Sequence, residues 1–143
     1  MNAKDHWPPW LSSFSLELER SDANEGLKYF CFSCSSGYSH AQSVFESAVA
    51  SGDPGNFNSV LMTDPNHLGA LLALSNVKRR MGNVAESQDL LQRAVFSLQC
   101  AFPATFSPWR CNCRIDFANP DNTVWAVSAY YLNVPSCQEL GFT

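Results

Sequence analysis

The sequence predicts a mainly α protein of tetratricopeptide-like antiparallel helix hairpins, an α-solenoid, with an N-terminal β-hairpin. Three observations predict it. An alternating apolar and polar run over 14–19 precedes an aromatic-rich run over 27–32. Apolar stripes at helical spacing then recur between Ala41 and Phe102. Only Gly82-Asn83 separates the last two stripes, so those helices must fold back on one another.

In Phe14-Ser15-Leu16-Glu17-Leu18-Glu19, alternation puts Phe14, Leu16 and Leu18 on one face and charge on the other, as a half-buried strand requires. The polar stretch Ser21 to Gly26 reads as a turn, and Leu27-Lys28-Tyr29-Phe30-Cys31-Phe32 as the returning strand. A lone hairpin is marginal, so its apolar face is expected to pack on the helices.

Ala41, Val44, Phe45, Ala48 and Val49 form one helical stripe, closed by Gly52-Asp53-Pro54. A shorter segment carries Phe57, Val60 and Leu61 and ends before Asp64-Pro65. Asp64 is expected to cap the next helix, with Pro65 in its first turn. That helix presents Leu68, Leu71, Leu72 and Ser75 and stops at Met81-Gly82, where glycine can take the left-handed cap. Asn83 caps the fourth helix, Glu86 standing where a capping box needs it, and Leu91, Ala94, Val95, Leu98 and Phe102 make its stripe. With Gly82 as the turn, Leu71, Leu74, Ser75, Leu91 and Ala94 fall at the packing positions of a repeat of about 34 residues. One such unit cannot bury its own face, so stacking on the 41–63 helices is expected.

Beyond Pro103 the helical period disappears, apart from an extended stretch at Cys113-Arg114-Ile115-Asp116-Phe117 and a weak last helix from about Pro120 to Pro135. The organisation expected is an irregular Pro/Trp-rich lead-in at 1–12, a β-hairpin packed on the helices at 13–35, α-solenoid helices at 36–102, and an irregular segment with one terminal helix at 103–143. Because that last apolar helix lacks a following partner, the chain is expected to stop inside a longer solenoid.

A net charge of −4 repels phosphate backbones and disfavours general nucleic-acid binding. The local exception, Lys78-Arg79-Arg80, reads first as a solvated helical turn. The N-terminus lacks the apolar core of a secretory signal and no window is long enough to span a bilayer, so an intracellular protein with reduced cysteines is expected.

Cys31 and Cys34 with Cys111 and Cys113 could offer four thiolates to zinc. In an extended strand, however, positions three apart point to opposite faces, and no glycine allows a knuckle between Cys31 and Cys34. Buried or surface thiols are the expected state, with no metal and no cofactor. His6, His40 and His67 are isolated in sequence, and His67 suits a capping or solvent role. No nucleophile elbow or phosphate-cradling glycine loop occurs, so no enzyme is expected. The residues left are Trp7, Trp10, Phe106, Trp109 and Arg110, in proline-containing irregular segments. Such residues either wrap the solenoid or anchor an interface. The candidate partner-binding set is therefore Trp7, Trp10, Lys78, Arg79, Arg80, Trp109 and Arg110.

Residues between about Trp7 and Asn122 carry a resemblance. They include Pro8-Pro9 before Phe14-Ser15-Leu16-Glu17, Tyr29-Phe30-Cys31-Phe32, Tyr38 with Gln42 and Phe45, and Asp53-Pro54-Gly55-Asn56. Pro65 with His67, Leu72 with Leu74-Ser75, Asp89-Leu90, Arg93-Ala94, and Cys113 to Phe117 with Pro120 and Asn122 continue the series. This pattern resembles the central region of the ribosome quality control complex subunit 1 family, also called transcription factor 25. The resemblance implies a non-enzymatic scaffold acting on stalled 60S ribosomal subunits with a RING ubiquitin ligase and ubiquitin, in the cytosol. The runner-up it implies is a nuclear transcriptional regulator working through protein contacts without direct DNA binding.

Overall fold

A computed structural model describes residues 2–107, 112–116, 118, 119 and 122. Trp109, Arg110, Cys111 and the expected last helix lie outside the described residues. The elements are β1 (Phe14–Asp22), β2 (Leu27–Cys34), α1 (Ser36–Ser51), α2 (Asn56–Thr63), α3 (Leu68–Arg80), α4 (Val84–Ala101) and β3 (Cys113–Ile115). The protein is mainly helical, with strands at its N-terminal end. No helix among the described residues is long and apolar enough to cross a membrane.

The chain forms two compact units, one from 1–13 and 34–100, the other from 14–33 and 101–143. In the first, α1 packs on α2 and α2 on α3. Ala41, Ala48, Val60 and Ala70 form a small-residue core, flanked by Val44, Phe45, Phe57 and Leu61. Small residues there let the helix axes approach, and Phe45 and Phe57 (ring centroids 5.7 Å apart) fill the space that remains. Leu68, Leu71, Leu72 and Leu74 are all buried, each contributing about 1.5–3 kcal/mol. Val49 is 56% exposed, so the α1 stripe is covered only as far as Ala48.

Local chemistry sets the helix ends. Ser35 caps α1 by accepting from the Tyr38 N–H at 3.1 Å. Gly52 ends α1 at φ 69°, a left-handed value that a side chain would strain. Between α3 and α4, Gly82 takes φ 81° and Asn83 accepts from the Glu86 N–H at 3.3 Å.

The start of α3 differs from expectation. Asp64 does not cap it: the Asp64 carboxylate accepts from the Asn66 N–H at 2.9 Å and from the Ser13 hydroxyl at 3.0 Å. With that carboxylate committed to a turn, the helix opens three residues later. His67 is the cap, its Nδ1 accepting from the Ala70 N–H at 3.1 Å, and Pro65 lies outside α3. Phe102 likewise falls beyond α4, because the residue before Pro103 is steered out of the helical region.

In the second unit the sheet order is β1-β2-β3. Asp22 closes the β1–β2 turn by accepting from the Asn24 and Glu25 N–H groups, at 2.9 and 3.3 Å. β3 lies parallel to β2 with Lys28, Tyr29 and Phe30 opposite Cys113, Arg114 and Ile115. Phe14, Leu16, Phe30, Phe32, Phe106, Cys113 and Ile115 are buried, and Phe30 meets Phe106 edge-on at 4.9 Å. Leu18 is 49% exposed, contrary to its expected burial with Phe14 and Leu16. Alternation sets which side it faces, but not how far along the hairpin that side is covered. Asn122, fully buried, accepts from the Phe32 N–H at 2.9 Å and donates to the Asp116 carbonyl at 2.8 Å, satisfying strand-end groups of both segments.

Candidate binding surface

The α3–α4 hairpin carries three of the candidate residues at its tip. That hairpin is antiparallel, as successive hydrogen bonds show. Near the turn, the buried Ser75 hydroxyl lies 2.9 Å from the Ser87 hydroxyl and 3.0 Å from its carbonyl. Near the open end, Arg93 donates to the Pro65 carbonyl at 2.9 Å and Ser97 to Asn66 Oδ1 at 3.4 Å. Leu71, Leu74 and Ala94 are buried in this unit, and Leu91 is half-buried.

At the tip, Lys78 pairs with Glu86 across the turn at 2.7 Å. Hydrogen bonds from Lys78 and then Asn83 hold the Glu86 carboxyl below the usual carboxylate value. Arg79 and Arg80 are exposed, and neither has an ion-pair partner among the described residues. Beside them, Met81 is 72% exposed and Val84 53%. These two apolar residues were not expected at a binding surface. Both continue apolar stripes by seven residues, Leu74 to Met81 and Leu91 back to Val84, so periodicity alone does not mark them as exposed.

Trp7, in the lead-in, packs against α4 away from this tip and is only 8% exposed. Its indole N–H reaches both Asp89 oxygens, at 3.1 and 3.2 Å, and its ring lies 5.6 Å from that of Phe96. Lys4 and His6 contact the same carboxylate at 2.9 and 3.0 Å. Desolvation works against ionisation of Asp89, but the hydrogen bonds from Lys4, His6 and Trp7 outweigh it and bring the pKa down to about 2. Trp10 is half-buried.

A second polar cluster is internal. His67 Nδ1 accepts from the Ala70 N–H, so Nε2 carries the proton and donates to Gln42 Oε1 at 2.8 Å. Tyr38 stacks on the ring at 4.7 Å and 18°, and Phe45 lies 5.1 Å away. Desolvation lowers the His67 pKa to about 4, so the imidazole is neutral at physiological pH. Both nitrogens are committed to the fold, in keeping with the capping role. Cys31 and Cys34 lie on β2, half-buried and exposed respectively, and Cys31 Sγ accepts from Asn119 at 3.3 Å.

Comparison with known proteins adds a family. Residues 30–126 match the family model described as transcriptional repressor TCF25. The chain is similar to the human ribosome quality control complex subunit TCF25, 35% identical over 127 residues, covering 89% of this chain and 19% of that protein. The Dictyostelium discoideum protein of the same name is 28% identical over 98 residues, 68% of this chain and 13% of its own. The Schizosaccharomyces pombe ribosome quality control complex subunit 1 is 27% identical over 120 residues, 83% of this chain and 18% of its own. This chain thus spans less than a fifth of the length of each of these relatives. No solved structure matches the chain. With the family model covering more than half of it, from the middle of β2 through all four helices, the chain belongs to the TCF25 family.

Proposed function

We propose that this chain is a non-catalytic scaffold segment of ribosome-associated quality control, helping ubiquitin-dependent degradation of nascent chains on stalled 60S subunits. The observation that carries this reading is the family match over residues 30–126, which takes in α1 to α4. In this reading the helices stack in tetratricopeptide fashion within a longer solenoid, and the solenoid's surface holds a RING ubiquitin ligase and ubiquitin in the cytosol. A scaffold role is supported by how the polar side chains are used. His67 caps α3, Asp64 holds a turn, and Asp89 anchors the N-terminal segment.

The test is affinity capture of the full-length protein, probed for 60S subunits and for the ligase. Enrichment of both is expected, and enrichment of neither overturns the reading. A second reading, a nuclear transcriptional regulator acting through protein contacts, draws on the repressor description of the family model and on the exposed Arg79-Arg80 pair. Reporter repression lost on changing Lys78, Arg79 and Arg80 to Ala favours it, and unchanged repression removes its support.

A further inference from the structure

We propose that the tip of the α3–α4 hairpin, formed by Arg79, Arg80, Met81 and Val84, docks an acidic protein segment that carries an apolar side chain. The proposal rests on the scaffold reading above and names the partner chemistry. This chain is acidic overall, yet three of its nine Lys and Arg residues stand consecutively at the end of α3. One of the three is neutralised, since Lys78 pairs with Glu86 at 2.7 Å.

The other two are not consumed by the helix terminus, which is where a bland account would place them. The Val77, Arg79 and Lys78 carbonyls already accept from the Met81, Gly82 and Asn83 N–H groups at 3.1, 3.1 and 2.9 Å. Two planar guanidiniums are thus left in solvent beside two large apolar side chains, Met81 at 72% and Val84 at 53% exposure. A carboxylate-bearing segment fits the first pair by bidentate hydrogen bonding, and a Leu-like side chain fits the second. A nucleic-acid backbone satisfies only the arginines. It would meet a chain of net charge −4 and would leave Met81 and Val84 without a role. Charge and apolarity together therefore favour peptide over RNA.

The experiment uses the full chain and fluorescence anisotropy with three labelled probes: a peptide of Glu-Asp-Leu repeats, the same peptide with Ser for Leu, and an oligouridylate. The Leu-containing peptide is expected to bind tightest. Arg79→Glu with Arg80→Glu weakens it by at least about tenfold, since like charges then face one another. Met81→Ser with Val84→Ser weakens it about three- to tenfold and leaves the Ser-containing peptide unaffected. Glu86→Gln frees Lys78 and tightens both peptides. All substituted positions are exposed or at the surface, and unchanged thermal melts confirm that the fold persists. Equal binding of the Leu peptide by wild type and the arginine variant overturns the proposal, as does no binding by wild type. Oligouridylate binding that needs Arg79 and Arg80 but not Met81 overturns it in favour of a phosphate site. Failure of the scaffold reading shows separately, as loss of 60S and ligase from the full-length capture, and leaves these anisotropy outcomes standing.

Discussion

The indole of Trp7 is held by the carboxylate of Asp89, 82 residues away in sequence, through contacts to both of its oxygens. This one carboxylate also takes Lys4 and His6, so Asp89, together with the packing of Trp7 on Phe96, fastens the lead-in segment to α4.

Asp89→Ala should therefore loosen the segment while leaving α4 intact, since alanine is a good helix former. Trypsin should cleave after Lys4 several-fold faster, with a stability loss of about 1 kcal/mol once solvent screening of a partly exposed carboxylate is allowed for. A pH effect accompanies it. The folded Asp89 pKa of about 2 lies below the ordinary 3.8, so its contribution is present above pH 4 and is lost as pH falls toward 2. The Ala variant should lack that acid step, and unchanged trypsin kinetics would rule out Asp89 as an anchor of the segment.

His67 gives a second acid dependence in a higher window. Its folded pKa is about 4 against an ordinary 6.5, so the unfolded chain takes up protons first as pH falls from 6.5 toward 4. Stability present above pH 6.5 is lost through that range, by up to about 3 kcal/mol. His67→Asn keeps a capping acceptor for the Ala70 N–H and cannot titrate. It should melt lower than wild type at pH 7, through loss of the stack with Tyr38, yet show a nearly flat melting temperature from pH 6.5 to 4. A variant that kept the wild-type slope would place the titration elsewhere.

Such features divide by the range of the interaction behind them. The ends of α1 and α3 were legible because glycine at positions 52 and 82 acts on its own backbone, with φ 69° and 81°. The Asn83 cap was legible for the same reason, its partner lying three residues on. The start of α3 was not, because Asp64 answers to Ser13, 51 residues back. Nor was the pairing of β2 with β3, a parallel contact between residues 28–30 and 113–115 that no local pattern encodes. At the candidate surface, the three cations were readable as a run. The exposure of Met81 and Val84 was hidden, because each continues an apolar stripe out to the hairpin tip, where both are more than half exposed. Tyr38, Gln42, Phe45 and His67, scattered in sequence and part of the family resemblance, meet as one internal cluster. The resemblance thus rests in part on residues that hold the fold.

The Ser75–Ser87 contact joins α3 to α4 at a buried point 2.9 Å across, and the pair should behave as a coupled unit. Ser75→Ala should cost about 1–2 kcal/mol, because it leaves the buried Ser87 hydroxyl short of a partner, and Ser87→Ala less, because the Ser75 hydroxyl still donates to the Ser87 carbonyl at 3.0 Å. The double variant should cost less than the two together, with a coupling of at least about 0.5 kcal/mol in a denaturant double-mutant cycle. Strict additivity would show that the hydroxyls do not bond.

Asn122 offers the sharpest test of the sheet-bearing unit, because its two ends do opposite jobs. Its Oδ1 accepts from the Phe32 N–H and its Nδ2 donates to the Asp116 carbonyl, at 2.9 and 2.8 Å, with the side chain fully buried. Asn122→Asp keeps the acceptor and the shape but replaces the donor with an oxygen facing the Asp116 carbonyl. Asn122→Leu removes both bonds and takes the side-chain acceptor from the buried Phe32 N–H, while the Asp116 carbonyl keeps the Asn119 N–H at 3.3 Å. Two lost bonds, one of them from a carbonyl that keeps another donor, predict about 2–3 kcal/mol for the Leu variant. The Asp variant should be as damaging near pH 7, where an unpaired buried charge or a proton taken up against the solvent equilibrium costs comparably. Lowering the pH should then recover part of the Asp variant's stability, since a protonated carboxyl can donate to the Asp116 carbonyl, while the Leu variant recovers nothing. Amide exchange at Phe32 reports the same event locally: protection should fall sharply in Asn122→Leu and survive in Asn122→Asp at acid pH. Equal protection in both variants at every pH would mean that Asn122 does not bridge these two segments.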